Sequence, residues 1–169
     1  MKTLFLLRHA KAARGDGALP DAERPLAERG RGDAQRLAAF LRRRRLRPAA
    51  VLCSPSLRTR QTLHLIGPAL SDAPVALEPR LYEATAGTLL SLLAATPAEV
   101  ASVLLVGHNP GLADLALLLA GSGKSGPLGR MAEKYPTGAL AILTHPGAWT
   151  ALAPGCCKLE EFVRPADLA

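Results

Sequence analysis

The sequence predicts an α/β fold with a largely parallel β-sheet. Short apolar runs, each of the length of a buried strand, alternate with segments in which apolar residues recur at helical spacing. This alternation is typical of sheets whose neighbouring strands are joined by helices. The chain has 169 residues, without an internal repeat or a long linker, so we expect one domain that spans residues 1–169.

In the first half of the chain, apolar runs predict strands over residues 2–7, 49–53 and 75–77. Helical spacing predicts helices over residues 27–45 and 57–70. Ala34, Leu37 and Leu41 share one face of the first helix. Ser54 is expected to cap the start of the second helix, with Pro55 at its first position.

In the second half, the same reasoning predicts helices over residues 88–95 and 111–120 and a buried strand over residues 101–106. The Gly- and Ser-rich residues 121–127 are expected to form a flexible loop. A strand pair is predicted over residues 138–144 and 149–152, joined by a turn at His145-Pro146-Gly147, and a last strand over residues 158–163.

The composition favours a protein that folds around an aliphatic core and works in the cytoplasm. Hydrophobic residues make up 49% of the chain and aromatic residues only 4%, so Leu, Ala and Val must form that core. No apolar stretch reaches the roughly 18 residues of a membrane helix, and the N-terminal apolar run is too short for a signal peptide. The three cysteines show neither disulfide nor metal-ligand spacing, and we interpret them as reduced.

The net charge of +7 points to anionic partners. Much of the charge lies in the run from Arg42 to Arg45, with Arg47 close behind. These cations either complement the C-terminal dipole of the preceding helix or form a nucleic-acid patch. The first interpretation is favoured, since no aromatic residues are interleaved to stack on bases. We therefore expect no nucleic-acid partner.

Reactive side chains follow three of the predicted strands. The first strand ends at Arg8 and His9, the second is followed after one turn by Arg58, and the strand over residues 101–106 is followed by His108. Because the carboxyl ends of parallel strands meet at one edge of a sheet, these four side chains are expected to converge there.

Two arginines and two histidines together favour phosphoryl transfer. Guanidinium groups bind phosphate oxygens, and nearby cations lower the pKa of a histidine, which leaves a neutral, nucleophilic imidazole at pH 7. Cationic side chains can supply the charge that phosphoryl transfer needs. No Asp/His cluster has metal-ligand spacing, so we expect no metal and no cofactor.

Four motifs in this order resemble the histidine phosphatase superfamily: LLRHAKA, SPSLRTRQT, LYEA and VGHNPG. The short chain, the RHA start, the D-x-x-R-P-L segment that begins at Asp21 and the YPTGAL segment that begins at Tyr135 are most similar to its phosphohistidine phosphatase SixA type. The resemblance covers nearly the whole chain. It implies a three-layer α/β/α sandwich of the phosphoglycerate mutase-like kind.

The resemblance also implies a role for each matching residue. His9 would be the nucleophile that becomes phosphorylated, and Arg8 and Arg58 would bind the phosphoryl oxygens. His108 would be the second imidazole of the site and would contact the same oxygens. Glu83, in the LYEA motif, occupies the position where many members of the superfamily have the proton donor.

The proton donor is open at the level of the sequence. Glu83 is either this donor or a solvated loop carboxylate, and SixA-type members can lack an acid at its position. A phosphohistidine leaves as a ring nitrogen that can be protonated beforehand, whereas an ester leaves as an alkoxide that needs a donor. Asp21 is a second candidate acid, although it could equally cap the turn before Arg24.

Three functions fit these residues. The first is hydrolysis of a phosphohistidine on a protein, such as a phosphotransfer or carrier domain, and the second is hydrolysis of small phosphate esters. The third is a phosphate-sensing or protein-binding module without turnover, which would have no need of a nucleophile. The short intervals after Arg58 and His108 leave little chain for a lid, so an open pocket that accepts a protein is favoured. We expect a monomer or a weak homodimer.

Overall fold

Seven strands form one sheet in the computed structural model, which describes residues 1–168. The strands are β1 (Lys2–Arg8), β2 (Ala50–Cys53), β3 (Val75–Leu77), β4 (Ser102–Gly107), β5 (Ala120–Gly123), β6 (Leu140–His145) and β7 (Cys157–Val163). Their order across the sheet is β3-β2-β4-β1-β6-β7-β5. Both pairings of β6 are antiparallel and the other four pairings are parallel, which confirms the prediction of a largely parallel sheet.

Helices cover both faces of the sheet and complete the predicted three-layer α/β/α sandwich. They are α1 (Glu28–Arg44), α2 (Leu57–Ile66), α3 (Ala86–Ala94), α4 (Gly111–Leu119) and α5 (Ser125–Glu133). Alternate residues of the central strand β1 belong to different cores: Leu4 and Leu6 pack with α3 and α4, whereas Phe5 and Leu7 pack with α1 and the end of α2. The continuous apolar run of β1 therefore reflects burial on both faces.

The carboxyl ends of β1, β2 and β4 lie side by side at one edge of the sheet. Arg8 pairs with Gly107, and Cys53 pairs with Val106, so the residues that follow these strands emerge together. Two glycines allow the neighbouring loops to pack against this edge. A Cβ atom at Gly30 would lie 2.1 Å from the Lys11 carbonyl oxygen, and one at Gly111 would lie 2.0 Å from that of Ala84.

Three local predictions were wrong. Residues 121–127 were expected to be a loop, but they contribute to β5 and α5; β5 gains its hydrogen bonds from β7, a distant partner that local composition does not reveal. A strand was expected over residues 149–152, but Trp149–Ala151 form a 3-10 turn, and β6 pairs with β7 instead. The cap of α2 is Ser56, whose hydroxyl accepts from the Thr59 N–H, because Ser54 is used elsewhere.

Within residues 1–168, none of the helices combines the length and the apolar character needed to cross a membrane.

Candidate active site

His9 lies at the end of β1 and is buried, with 7% of its surface exposed. Its Nδ1–H faces the Ala10 carbonyl oxygen at 2.7 Å and donates to it. This hydrogen bond fixes the ring and leaves the lone pair on Nε2, as a nucleophilic imidazole requires. The loop after His9 is held by Thr62, whose hydroxyl accepts from the Ala10 N–H at 3.0 Å and donates to the Arg58 carbonyl oxygen.

Both histidines of the site are neutral at pH 7. Burial, with smaller contributions from the nearby His108 and Arg58, lowers the pKa of His9 to about 3, against the opposing effect of the hydrogen bond to Ala10. Burial and the Arg58 guanidinium lower the pKa of His108 to about 4. The two rings are close, with centroids 5.3 Å apart. Burial thus does more than the arginines to keep His9 in its nucleophilic form.

His108 is held by partners on both ring nitrogens. Nδ1 lies 3.4 Å from Arg58 Nη2, which has only protons to offer, so Nδ1 accepts. Nε2 consequently carries the proton and donates to the Ser54 hydroxyl at 2.8 Å. Ser54 is completely buried, and its own N–H donates to the Val106 carbonyl oxygen. Ser54 therefore orients His108.

Arg58 is buried and lies between His108 and Asp21. Its Nη1 donates to the Asp21 carbonyl oxygen at 2.8 Å, and its Nη2 forms an ion pair with the Asp21 carboxylate at 3.0 Å. The Tyr82 hydroxyl donates to the same carboxylate, and the Tyr82 ring packs edge-on against His108. The hydrogen bond from Tyr82, followed by those from Arg24 and Arg58, holds the pKa of Asp21 well below its usual range. Asp21 is thus ionised at neutral pH, which favours a role in positioning Arg58 over one as proton donor.

Arg8 and Asn109 are both anchored by the main chain at Tyr135. Arg8 Nη1 and Asn109 Nδ2 each donate to the Tyr135 carbonyl oxygen at 2.9 Å. The Tyr135 hydroxyl donates to the Leu6 carbonyl oxygen in β1, which fixes this segment against the sheet. Burial and the like charge of Arg58 lower the pKa of Arg8.

These residues line an open cleft of about 280 Å³. Among residues 1–168, its lining contains four cationic side chains, two imidazoles and no carboxylate: Arg8, His9, Lys11, Ala12, Arg24, Arg58, His108, Asn109 and Thr137. The Nε atoms of Arg8 and Arg58 are buried and have no hydrogen-bond partner within residues 1–168. A phosphate group fits this cleft, because its oxygens can accept from several guanidinium N–H groups at once.

Glu83 lies apart from this constellation. It is exposed, follows Tyr82 at the end of a 3-10 turn, and has a positive φ of 56°, which is rare for a residue with a side chain. It does not contribute to the lining of the cleft. The structure thus brings together Arg8, His9, Arg58 and His108, as predicted from the strand ends. Glu83 stays outside the lining of the cleft.

Sequence reasoning missed several residues that support the site. Ser54 was interpreted as a helix cap, and Thr62, Tyr82 and the Tyr135 carbonyl were given no contacts. The motifs carried a signal for all four, because Ser54 and Thr62 begin and end SPSLRTRQT, Tyr82 lies in LYEA and Tyr135 begins YPTGAL. Asn109, in the VGHNPG motif, holds the turn after His108 to α4, since its Oδ1 accepts from the Ala113 N–H.

Comparison with known proteins identifies the family of the chain. The family model of the histidine phosphatase superfamily (branch 1) matches residues 4–108, so the chain belongs to this superfamily. A structure of the protein histidine phosphatase SixA complexed with tungstate superimposes with a TM-score of 0.80 at 28% identity and covers 99% of both chains. The SixA-type resemblance seen in the motifs is therefore confirmed.

Two further relatives define the breadth of the similarity. An uncharacterised protein of Mycobacterium tuberculosis is 40% identical over 161 residues, which is 94% of this chain and 99% of the relative. A phosphoglycerate mutase from Plasmodium falciparum is only 17% identical, but it shares the fold with a TM-score of 0.60 over 95% of this chain and 89% of its own. The predicted phosphoglycerate mutase-like architecture is confirmed.

The free energy of unfolding is expected to fall as the pH is lowered from about 6.5 toward 4. His9 and His108 have pKa values of about 3 and 4 in the folded protein, against an ordinary value of 6.5, so in this range the unfolded chain binds protons that the folded protein does not. Each such histidine contributes a slope of about 1.4 kcal/mol per pH unit. Urea unfolding at pH 7.5, 6.0 and 5.0 measures this slope.

His108→Asn should reduce the slope by the share of one histidine, whereas the exposed His64→Gln should leave it unchanged. Equal slopes in the wild type and in His108→Asn would contradict this assignment.

Proposed function

We propose that this protein hydrolyses a phosphohistidine on another protein through a covalent phospho-His9 intermediate. The observation that supports this most directly is a buried, neutral His9 with a free Nε2 at the floor of an open cleft that is lined by four cationic side chains. The tungstate in the related SixA structure supports an oxyanion as ligand.

In the first step, His9 Nε2 forms a bond to phosphorus as the bond from phosphorus to the substrate imidazole breaks. The bonding electrons return to the leaving ring nitrogen, which takes its proton from solvent or already carries one on the ring. Arg8 and Arg58 contact the transferring oxygens and hold phosphorus in line with Nε2. His108, whose ring nitrogens are held by Arg58 and Ser54, packs beside the His9 ring. Because the Nδ1–H of His9 stays on the Ala10 carbonyl, the ring attacks in a fixed orientation.

In the second step, water attacks phosphorus and the bond from phosphorus to His9 Nε2 breaks. The proton of the water passes to solvent or to the phosphate, and His9 returns to its neutral form. We propose that this chemistry needs no metal, because Arg8, Lys11, Arg24 and Arg58 already surround the oxygens with positive charge.

Access to the cleft supports a protein as substrate. A lid could be inserted in the intervals after Arg58 and His108. Those intervals instead form β3 and β5, which belong to the sheet, and α2, α4 and α5, which pack against it. Lys11 is exposed and Arg24 is partly exposed beside the cleft, so they can contact the surface around a protruding phosphohistidine. A single chain supplies Arg8, His9, Arg58 and His108 to the cleft, and we propose that the monomer is active.

The first experiment compares phosphate release from a phosphohistidine-bearing protein and from p-nitrophenyl phosphate under identical conditions, with an alkaline quench because phosphohistidine is labile in acid. We expect a much higher kcat/KM for phosphohistidine. Equal or faster turnover of the ester would overturn the protein-directed function and favour the small-molecule phosphatase. Absence of turnover on both would favour the binding module.

Glu83 lies outside the cleft lining, and Glu83→Gln tests whether it nevertheless donates the proton: loss of a donor would slow ester hydrolysis by about tenfold or more and phosphohistidine hydrolysis far less. An alkoxide leaving group needs a proton in the transition state, and general acids are typically worth 10²–10⁴-fold, whereas a ring nitrogen can be protonated beforehand. The ratio of the two kcat/KM values in the variant and the wild type measures the effect. Glu99→Gln, an exposed glutamate remote from the cleft, is the matched control. An equal loss on both substrates would contradict the leaving-group explanation.

A further inference from the structure

A second cluster of reactive side chains lies outside the catalytic cleft. A ring nitrogen of His145 and the Sγ atoms of Cys156 and Cys157 lie within 4.8 Å of one another. His145 ends β6 and Cys157 begins β7, so the antiparallel pairing of these strands brings the three residues together. His145 and Cys157 are buried, and Cys156 is partly exposed.

The two ring nitrogens of His145 have different surroundings. Its Nδ1 lies 3.4 Å from the Cys156 carbonyl oxygen, to which it can donate. Metal-binding histidines commonly donate their other ring N–H to a backbone carbonyl, which leaves a lone pair for the ion. Nε2, the ring nitrogen that does not face the carbonyl, is buried without a hydrogen-bond partner within residues 1–168. A buried imidazole nitrogen without a hydrogen-bond partner is unusual, and a bound ion would account for it.

Gly147 is required beside this nitrogen. A Cβ atom at position 147 would lie 2.8 Å from His145 Nε2, closer than any real contact of this kind. A side chain at position 147 would therefore collide with the His145 ring.

The two sulfur atoms have the spacing of a shared tetrahedral ion. Cys156 Sγ and Cys157 Sγ are 3.6 Å apart. Two thiolates at about 2.3 Å from one tetrahedral Zn²⁺ would be separated by about 3.8 Å. The Ala153 N–H lies 3.3 Å from Cys156 Sγ and can donate to it, which would stabilise a thiolate. Two thiolates and a divalent cation also sum to zero charge, which suits a largely buried position.

We propose that His145, Cys156 and Cys157 bind a thiophilic divalent cation of the Zn²⁺ class, with one coordination position left for water or another ligand. Binding converts two thiols to thiolates and so releases up to two protons for each ion. No oxidation is involved, and the inference does not depend on the proposed phosphatase activity.

The position of this site indicates a structural role. His145 pairs with Lys2 at the start of β1, whereas the catalytic His9 follows the end of the same strand, so the two sites lie at opposite edges of the sheet and roughly 20 Å apart. An ion bound by His145, Cys156 and Cys157 would join both ends of the connection between β6 and β7. It should stabilise the fold without altering phosphoryl transfer.

Titration of the fully reduced protein with Co²⁺ under anaerobic conditions tests the proposal. We expect a thiolate-to-cobalt charge-transfer band in the near ultraviolet that saturates at one ion per chain and is bleached when Zn²⁺ displaces the Co²⁺. Zn²⁺ should also raise the melting temperature of the wild-type protein. Absence of the charge-transfer band with reduced protein would overturn the proposal.

Cys156→Ser is the principal variant, because Cys156 is partly exposed and its replacement is less disruptive than that of Cys157. It should weaken Co²⁺ binding by about tenfold or more and remove the Zn²⁺-dependent rise in melting temperature. His145→Asn should do the same. Cys53→Ala, which removes a buried thiol in β2, is the matched control and should keep both effects. Unchanged affinity in Cys156→Ser and His145→Asn would overturn the assignment of these ligands.

Discussion

Replacing His9 with alanine is expected to lower phosphate release from a phosphohistidine protein by about 10⁴-fold or more. The reason is geometric. His9 Nε2 is the free nitrogen of a ring whose Nδ1–H is tied to the Ala10 carbonyl, and Nδ1 of the other imidazole, His108, is already engaged by Arg58. His108 therefore cannot replace His9 as nucleophile in the same orientation, and the covalent intermediate cannot form.

Rapid quench in alkali with a radiolabelled phosphohistidine substrate measures both the rate and the intermediate. In the wild type, label should appear transiently on the enzyme itself. This enzyme-bound label should be stable in base and lost in acid, and it should decay as labelled phosphate is released. The same label should be absent from His9→Ala. His64→Ala, which removes an exposed histidine from α2, is the matched control and should retain label and rate. Turnover in His9→Ala within tenfold of the wild type would refute the phospho-His9 mechanism.

The core of the site was predictable because its residues follow strands. Arg8, His9 and His108 come directly after apolar runs, and parallel pairing of β1 with β4 is enough to bring them together. No side-chain conformation had to be known for this inference. The SPSLRTRQT motif placed Arg58 one turn into the next helix, where the end of β2 holds it at the same edge.

The remaining features depend on contacts between distant segments. Asp21 reaches Arg58 across 37 positions of sequence, and Tyr82 reaches Asp21 across 61. Nothing in the local pattern distinguishes Asp21 as a partner of Arg58 from Asp21 as a turn residue. For the same reason β5 was missed, since its Gly- and Ser-rich residues are strand only through pairing with β7.

The cysteines illustrate the same limit. Cys156 and Cys157 show no metal-ligand spacing in the sequence, because the third donor, His145, precedes them by a ten-residue connection. Only the pairing of β6 with β7 brings the imidazole to the sulfur atoms.

Arg58→Ala is expected to lower kcat/KM for phosphohistidine by about 10²–10³-fold, the usual cost of losing one donor that stabilises a charged transition state. Arg58 contributes more than positive charge, because it joins the Asp21 carboxylate to His108 Nδ1 and so positions the second imidazole. Arg58→Lys should recover only part of the loss, since an ammonium group cannot reproduce the planar set of donors. Arg60→Ala, two residues further along α2 and exposed, is the matched control.

The pH profile separates this role from a general loss of folding. Arg58 helps to lower the pKa of both His9 and His108. Removing it should raise both pKa values, so the acid limb of the kcat/KM profile should move to higher pH in Arg58→Ala but not in Arg60→Ala. Thermal unfolding of both variants establishes that the compared proteins are folded. If kcat/KM of Arg58→Ala stays within threefold of the wild type, Arg58 does not bind the phosphoryl group, and the cationic cleft must act through Arg8, Lys11 and Arg24 alone. If the acid limb does not move, Arg58 does not tune the pKa values of the imidazoles.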